Sequence, residues 1–405
     1  MAVGLGPLPE FAPIEGVRLG TACAGIKKPG RRDLVVVEIA EDAAVAAVFT
    51  QNQFCAAPVL VAREHLAATQ PRYLLINTGN ANAGNGQAGL DDANACCRAL
   101  AETVGCSPEA VLPFSTGVIG EPLPVDRLTG GLGQAVANLA EDGWALAAEG
   151  IMTTDTQPKG ATRKLEIEGH PVHLSGISKG AGMIRPNMAT MLGYIATDAA
   201  IAQPHLQALL RKAVDRSFNR ITVDSDTSTN DACVAIATGR SGAPTLEPGT
   251  EAYQAFEAAF IGLALELAQA LVRDAEGATK FVRIDVTEAA SAEEALDVAF
   301  TVAHSPLVKT ALFASDPNWG RILAAVGRAS LPNLAIDQVR IDLGDVRIVS
   351  AGGRDPQYTE ERGQAVMDCS EIVIGIHLGR GQARESVWTS DFSHDYVTIN
   401  AEYRT

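Results

Sequence analysis

The pattern of hydrophobic and polar positions alternates between short strand-like runs and longer helical stretches. Apolar runs at 34–49, which is rich in Val, and at 73–77 and 111–120 predict strands, and the last two lead into loops rich in Gly, Asn or Thr. Residues 90–105 carry apolar side chains at three- to four-residue spacing and therefore predict a helix. The sequence thus predicts mixed α and β structure.

The rest of the chain continues this alternation. Further helices are predicted at 132–149, 204–218, 251–273, 305–313 and 319–329. Further strands are predicted at 161–176, as a hairpin around Gly169, and at 337–342, 345–350 and 371–377. Because 405 residues exceed one ordinary core, we expect two or three domains.

Composition and charge narrow the class of protein. A hydrophobic content of 47% with 20% charged residues is typical of globular domains, and a formal net charge of −16 disfavours nucleic-acid partners. The most apolar stretch, 260–272, contains Glu266 and has helical periodicity, so no membrane span is predicted. Seven cysteines without a Cys-x-x-Cys pair, and a start without signal-peptide character, predict a cytoplasmic protein without a metal site.

Two motifs have spacings that occur in cofactor or metal sites. Gly84, Gly86 and Gly89 form a Gly-x-Gly-x-x-Gly motif, but Gly84 lies seven positions beyond the strand that ends at residue 77, so a structural loop is favoured over a dinucleotide site. His170 and His173 flank a turn without a third ligand nearby in the sequence, which favours a solvated hairpin over a zinc site.

Residues 178–199 are harder to explain as routine structure. On spacing alone, a Gly-rich turn leading into a buried strand is the better reading of this stretch. The alternative is that Thr190 is a nucleophile, because a chain that begins with Thr carries its own base, an α-amino group with a pKa of roughly 7.7–8.0. That amine is exposed only if the Thr190 hydroxyl first attacks the Ala189 carbonyl and the chain is cut between these two residues.

Several long motifs carry a family resemblance. They are INTGNANAGNG (76–86), PFSTGVIGEPLP (113–124), IMTTDTQPK (151–159), KGAGMIRPNMATML (179–192), VDSDTSTNDA (223–232), DAEGATK (274–280), SDPNWGRI (315–322) and the C-terminal YVTINAEYRT. In this order and over nearly the whole chain, they resemble the ornithine acetyltransferases of arginine biosynthesis, also called bifunctional glutamate N-acetyltransferases.

The resemblance implies a self-cleaving precursor that yields an α chain of residues 1–189 and a β chain of residues 190–405, which stay associated in an α2β2 assembly. It also implies an acetyl-Thr190 enzyme that passes acetyl from N-acetyl-L-ornithine to L-glutamate, without a cofactor. The family includes members that also use acetyl-CoA as a donor and members that do not. The motifs do not distinguish the two.

The resemblance also assigns roles to individual residues. Thr116 and Gly117 match an oxyanion pair, where a hydroxyl and a backbone N–H on a tight turn can bind one developing oxyanion. The residues that match substrate contacts are Thr156, Lys179, Thr190, Glu276, Asn400 and Thr405. Thr154 competes with Thr156 because the register within TTDT is ambiguous, and Ser225 stands where the family more often has Gly.

The fold implied by the resemblance is a layered αββα sandwich of the self-processing aminopeptidase kind, with a smaller α/β domain at about 280–405. A shared fold does not decide the substrate, so an amidase or aminopeptidase that uses Thr190 is the alternative enzyme. A non-catalytic binding protein is disfavoured, because Thr190, Thr116, Gly117, Lys179 and Glu276 occur together.

Overall fold

The computed structural model describes residues 2–185 and 191–403, so Met1, residues 186–190 and the last two residues lie outside the described part. The strands there are β1 (Val17–Ala22), β2 (Leu34–Ile39), β3 (Ala44–Phe49), β4 (Tyr73–Asn80), β5 (Val111–Val118), β6 (Lys159–Ile167), β7 (His170–Lys179), β8 (Leu192–Thr197), β9 (Ile221–Thr222), β10 (Ala232–Ala237), β11 (Phe281–Ala289), β12 (Arg340–Leu343), β13 (Val346–Ser350), β14 (Gly353–Arg354), β15 (Glu371–His377) and β16 (Ala383–Ser390). The α-helices there are α1 (Ala57–Ala68), α2 (Gly86–Val104), α3 (Val125–Ala137), α4 (Trp144–Gly150), α5 (Gln203–Asp215), α6 (Glu251–Arg273), α7 (Ala292–Ala303), α8 (Pro306–Phe313), α9 (Trp319–Arg328), α10 (Glu360–Met367) and α11 (His394–Ala401).

Two sheets pack face to face and form the centre of the molecule. The first has the strand order β1-β2-β4-β5, and the second has the order β3-β10-β8-β7-β6. Successive side chains of a strand point to opposite faces. On β2, Val35 and Val37 therefore join the core between the sheets, together with Val234 of β10, whereas Leu34 and Val36 pack under the outer helices.

Helices cover the outer face of each sheet. α2 and α3 pack on the first sheet through residues such as Leu100 and Leu132, and α5 and α6 pack on the second sheet through residues such as Leu210 and Phe260. The predicted αββα layering is therefore confirmed. In the described residues, α6 is the one helix long and apolar enough to cross a membrane, and half of its apolar window is buried in the core of the second sheet.

A third sheet has its own hydrophobic core. Its strand order is β14-β13-β12-β15-β11-β16-β9, so all its strands come from residues 281–390 except the two-residue β9. Residues of β11 and β15, including Ile284 and Ile374, pack with α7 and α9 in this core. After β16 the chain returns to the first two sheets through α11, whose Asn400 contacts Glu276. The C-terminal segment thereby reaches the loops beside α6.

The single helix predicted at 132–149 is wrong. The chain forms α3 and α4 instead, separated by a turn in which Ala140 pairs with Leu19 of β1 through backbone bonds of 2.9 and 3.1 Å. A Cβ on Gly143 would lie 2.2 Å from the Leu19 carbonyl oxygen. Contact with β1 therefore overrides the local helical pattern.

The hairpin prediction is confirmed. β6 and β7 pair from Lys159 with Ser178 to Ile167 with His170, and the two turn residues, Glu168 and Gly169, have φ of 50° and 82°. Two consecutive positive φ values are the signature of a type I′ turn, whose twist matches the flanking strands. This hairpin delivers the C-terminal residue of β7, Lys179, to the region described next.

Candidate active site

Most of the predicted site residues lie around one cavity. The cavity has a volume of about 220 Å³ and lies among the loops at the ends of β5, β7 and β10 and beside α11. The predicted residues that line it are Thr116, Gly117, Lys179, Glu276 and Asn400. Ala189, Thr190 and Thr405 lie outside the described residues, but Met183 and Met191, which lie on either side of the predicted cleavage site, also line this cavity. We refer to it as the reaction cavity.

The turn at Gly117 needs glycine. Its φ is +138°, and a Cβ there would lie 2.3 Å from the carbonyl carbon of Gly79. The parallel pairing of β4 and β5 shifts register between Gly79 and Asn80, as at a β-bulge. Bulges beside active sites re-aim side chains. This irregularity places Thr116 and Gly117 on the cavity wall instead of in a regular ladder.

Lys179 connects this turn to the TTDT segment. Its ammonium group donates hydrogen bonds to the hydroxyl of Thr116 at 3.3 Å and to the hydroxyl of Thr153 at 2.7 Å. Burial lowers the pKa of Lys179, although the charge of Asp155 opposes that shift. Because Thr116 accepts from Lys179, its own proton is available to a second oxygen. The Thr116 hydroxyl and the Lys179 ammonium can therefore each donate a hydrogen bond into the cavity.

A buried ion-pair network supports these donors. The Lys159 ammonium lies 2.6 Å from Asp155 and 2.7 Å from Asp274, and all three side chains are almost fully buried. Asp155 also accepts from the backbone N–H groups of Thr153 at 2.9 Å and Gly180 at 2.8 Å. Burial alone would raise the pKa of the Asp155 carboxyl, but the charges of Lys159 and Lys179 and the hydrogen bonds to the carboxylate together hold that pKa below its usual range. The network fixes the backbone on both sides of the Lys179 ammonium.

The structure places Thr154, and not Thr156, at the reaction cavity. Thr156 is turned toward Asp274, to which its backbone N–H donates at 2.9 Å and its hydroxyl also donates. Thr153 and Thr154 line the cavity instead. Within TTDT, the geometry thus favours Thr154 for substrate contact and gives Thr156 a supporting contact with the buried network.

A carboxylate lies on the wall near the C-terminal helix. Glu276 is 8% exposed and accepts a hydrogen bond from the Asn400 side-chain amide at 2.7 Å. A Cβ on Gly182 would lie 2.4 Å from a Glu276 carboxylate oxygen, so only glycine allows this position of the side chain. Among the described residues that line the cavity, Lys179 is the one cation and Glu276 supplies a carboxylate, which suits a small substrate with charges of both signs.

Asp231 is a cavity residue that the sequence analysis did not identify. It is 4% exposed, and one of its carboxyl oxygens has no hydrogen-bond partner among the described residues. Burial raises the pKa of Asp231 well above its usual value. The backbone N–H of Ala232 donates to the Met191 carbonyl at 2.9 Å, so Asp231 lies beside the residue that follows the cleavage motif. In the sequence, Asp231 is marked only by its place in the VDSDTSTNDA motif, just before the apolar run of β10.

The remaining motifs are structural in the described part of the chain. The loop around Gly84 and Gly86 is hydrogen-bonded within itself, for example from the Asn82 amide to the Gly89 carbonyl at 2.8 Å. Ser225 has a φ of +72°, a conformation that glycine adopts more easily than serine does. Residues 2–185 and 191–403 contain no group of three or more His, Cys, Asp or Glu that could hold a metal ion.

This arrangement suits acyl transfer. The Thr116–Gly117 turn can bind a carbonyl oxygen while Lys179 and Glu276 hold the charged ends of a small molecule. The fold and the cavity thus define an α/β enzyme of the acyl-transfer class.

Comparison with known proteins identifies the family. The ArgJ family matches residues 18–405. The chain is 58% identical over 409 residues to the arginine biosynthesis bifunctional protein ArgJ of Pseudomonas syringae pv. tomato, with 100% of both chains covered. It is 62% identical over 396 residues to the protein of that name from Methylococcus capsulatus, with 98% of this chain and 97% of the relative covered. The chain therefore belongs to the ArgJ family.

A solved structure of arginine biosynthesis bifunctional protein ArgJ from Bacillus halodurans is also similar. It is 36% identical with a TM-score of 0.50, and the match covers 51% of this chain and 97% of that chain. The solved polypeptide is therefore about half as long as this chain.

Proposed function

We propose that this enzyme transfers an acetyl group from N-acetyl-L-ornithine to L-glutamate in arginine biosynthesis, and that it releases L-ornithine and N-acetyl-L-glutamate. The observation that carries the proposal is the reaction cavity, where Lys179 lies 3.3 Å from the Thr116 hydroxyl at the Gly117 turn and Glu276 lies on the cavity wall. N-acetylornithine has a carboxylate, an acetyl carbonyl and a cationic amine. The Lys179 ammonium is complementary to the carboxylate, the Thr116–Gly117 turn to the acetyl carbonyl, and the Glu276 carboxylate to the cationic amine.

The proposed nucleophile is Thr190, freed by cleavage of the Ala189–Thr190 bond. Its new α-amino group would take the proton of its own hydroxyl, because an α-amine titrates near neutral pH, with a pKa of roughly 7.7–8.0. The half-length polypeptide of the Bacillus halodurans relative is consistent with a family whose precursor is cut into two chains. In this chain the products would be residues 1–189 and 190–405.

The proposed reaction has two half-reactions. The Thr190 oxygen adds to the acetyl carbonyl, and the oxyanion that forms accepts hydrogen bonds from the Thr116 hydroxyl and the Gly117 N–H. The C–N bond then breaks, the leaving amine takes the proton from the α-amine, and ornithine departs from an acetyl ester on Thr190. In the second half-reaction the amine of glutamate attacks this ester, the bond between the acetyl carbon and the Thr190 oxygen breaks, and N-acetylglutamate leaves while the Thr190 hydroxyl regains its proton.

The remaining family residues orient the substrates in this proposal. The Asn400 amide holds the Glu276 carboxylate toward the cationic amine of ornithine. Thr154 lies where a substrate carboxylate or amide would contact the wall, and Thr405 is retained as a substrate contact from the family pattern. The proposal also includes an α2β2 assembly in the cytoplasm and no cofactor.

The decisive assay combines donors and acceptors. We expect purified enzyme to form N-acetylglutamate from N-acetylornithine and glutamate, and to hydrolyse N-acetylornithine in water alone much more slowly. Efficient hydrolysis without transfer would favour the amidase or aminopeptidase alternative. Acetyl-CoA with glutamate, measured in parallel, decides whether the thioester is a second donor.

A variant pair tests the site itself. Thr116→Ala should lower kcat about 10²–10³-fold, as removal of an oxyanion donor does. The matched control is Thr103→Ala, on the exposed face of α2, which should retain full activity. Equal activities in the two variants would remove Thr116 from the mechanism.

A further inference from the structure

A second cavity adjoins the reaction cavity behind the Gly117 turn. It has a volume of about 230 Å³, and the two cavities share Gly117, Thr153, Thr154 and Tyr403 as lining residues. The second cavity is also lined by Lys27, Lys28 and Arg31. We call it the basic cavity.

The basic residues stand out from an otherwise acidic chain. The net charge is −16, yet the segment KKPGRR at 27–32 has four basic residues among six. The Arg31 guanidinium donates to the carbonyl oxygens of Met152 at 2.8 Å and Thr153 at 3.1 Å, and the Lys27 ammonium donates to the Tyr403 carbonyl at 2.9 Å. Carbonyl groups are neutral, so these bonds position the cations without cancelling their charge.

Acidic groups on the same cavity only partly balance this charge. Asp33 accepts from the backbone N–H groups of Ala24 and Ile26, each at 2.6 Å, and burial raises the pKa of its carboxyl. Glu402, an exposed residue at the C-terminal side, also lines the cavity. Three basic side chains thus face two acidic ones, which leaves an excess of positive charge on this cavity.

The two amino acids of the proposed transfer differ in side-chain charge. Ornithine ends in an ammonium group, whereas glutamate ends in a second carboxylate. Among the described residues that line the reaction cavity, Lys179 is the one cation, and it is assigned to the α-carboxylate that both substrates carry. The subsite that accepts the ornithine ammonium contains Glu276, which would repel the γ-carboxylate of glutamate. A glutamate acceptor therefore needs a further cation close to the same reacting ester.

We propose that the basic cavity binds the γ-carboxylate of glutamate, so that the two half-reactions share the nucleophile but place their side chains in different cavities. This inference rests on the proposed acetyl transfer. Gly117, Thr153, Thr154 and Tyr403 line both cavities, so the two cavities lie directly beside each other. Lys28 is the most direct contact, because Lys27 and Arg31 are already hydrogen-bonded to carbonyl groups.

The test measures steady-state kinetics of Lys28→Gln and of the double variant Lys27→Gln/Lys28→Gln. We expect the KM for glutamate to rise about tenfold in the double variant, as for loss of a charge-assisted contact, with the KM for N-acetylornithine unchanged. The matched control is Lys164→Gln, an exposed lysine of β6 outside both cavities, which should change neither KM.

A measurement with glutamine as the acceptor distinguishes a loss of charge recognition from a general disturbance of the active site. The glutamine side chain has the shape of glutamate without the charge, so the preference of the enzyme for glutamate over glutamine should fall in the double variant and persist in the control. An unchanged preference would overturn the inference. A higher KM for acetyl-CoA with an unchanged KM for glutamate would also overturn it and assign the cavity to phosphate groups. If the wild-type enzyme transfers no acetyl group to glutamate, the proposed function itself fails, which is a distinct result.

Discussion

The Lys159 network allows a sharp test of what holds the active-site loops in place. We consider Lys159→Met, which keeps most of the side-chain volume but removes the ammonium group. The exposed fractions of the Lys159, Asp155 and Asp274 side chains are 0%, 0% and 1%, so the variant leaves two buried carboxylates without their cation.

We expect Lys159→Met to lose much of its folding stability. Removing one partner of a buried ion pair typically destabilises a protein by about 3–5 kcal/mol, because the remaining charge cannot be solvated. Domains are stable by roughly 5–15 kcal/mol in total, so this loss is a substantial part of the folding free energy. Asp155 also anchors the backbone of Thr153 and Gly180, so the variant should lose acetyl transfer even where it remains folded.

The loss should depend on pH in a defined direction. In the wild type the folded-state pKa of Asp155 is lowered, so its contribution is present above the unfolded-state pKa of about 3.9 and is lost as the pH falls through the folded value. In the variant the same carboxyl loses its cation and its pKa rises. It can then be protonated in mild acid, and the difference in stability between variant and wild type should shrink from about pH 7 to about pH 5.

The assay is urea unfolding followed by the fluorescence of tryptophan, including Trp144, which is 1% exposed in the central core. The control is Lys164→Met, at an exposed position of the same strand, which should change stability by less than about 0.5 kcal/mol. If Lys159→Met and Lys164→Met unfold at the same urea concentration, the network does not carry the stabilising role assigned to it.

Two further predictions concern the cavity wall. Gly182→Ala should raise the KM for N-acetylornithine about tenfold, because the added Cβ would lie 2.4 Å from a Glu276 carboxylate oxygen. The control is Gly130→Ala, because a Cβ added at Gly130 has open space around it. Equal KM values in the two variants would contradict the role of Glu276. Asp231 has a raised folded-state pKa, so it binds more protons when folded, and wild-type stability should fall as the pH rises from about 4 through that value. Asp231→Asn should flatten this dependence in urea midpoints measured at about pH 5 and about pH 8, and a persisting slope would assign the dependence to other groups.

Some elements could be predicted because their hydrophobic patterns lie within one short segment of the sequence. The hairpin of β6 and β7 follows from alternation on both sides of Gly169, and the helix α6 follows from an apolar periodicity that covers its whole length. In both cases the pattern that marks the element lies within one short segment of the chain. Such elements can be derived from the sequence without knowledge of the fold.

Contacts between distant residues account for the errors. The break between α3 and α4 depends on Leu19, more than 100 residues earlier in the chain. The register within TTDT stayed ambiguous in the sequence, because the contact of the Thr156 hydroxyl with Asp274, 118 residues away, is visible only in the fold. Asp231 has no spacing that marks it, since its burial depends on how β8 and β10 pair. None of these three contacts leaves a periodic pattern in the sequence.

In the proposed mechanism, cleavage between Ala189 and Thr190 creates the catalytic nucleophile. Intact mass spectrometry of the purified protein tests it most directly. We predict two polypeptides, the second of which begins Thr190-Met191 and gains one acetyl group on incubation with N-acetylornithine in the absence of glutamate, whereas Thr190→Ala stays uncut and unmodified. A single uncut chain of 405 residues that nevertheless transfers acetyl groups to glutamate would contradict the account.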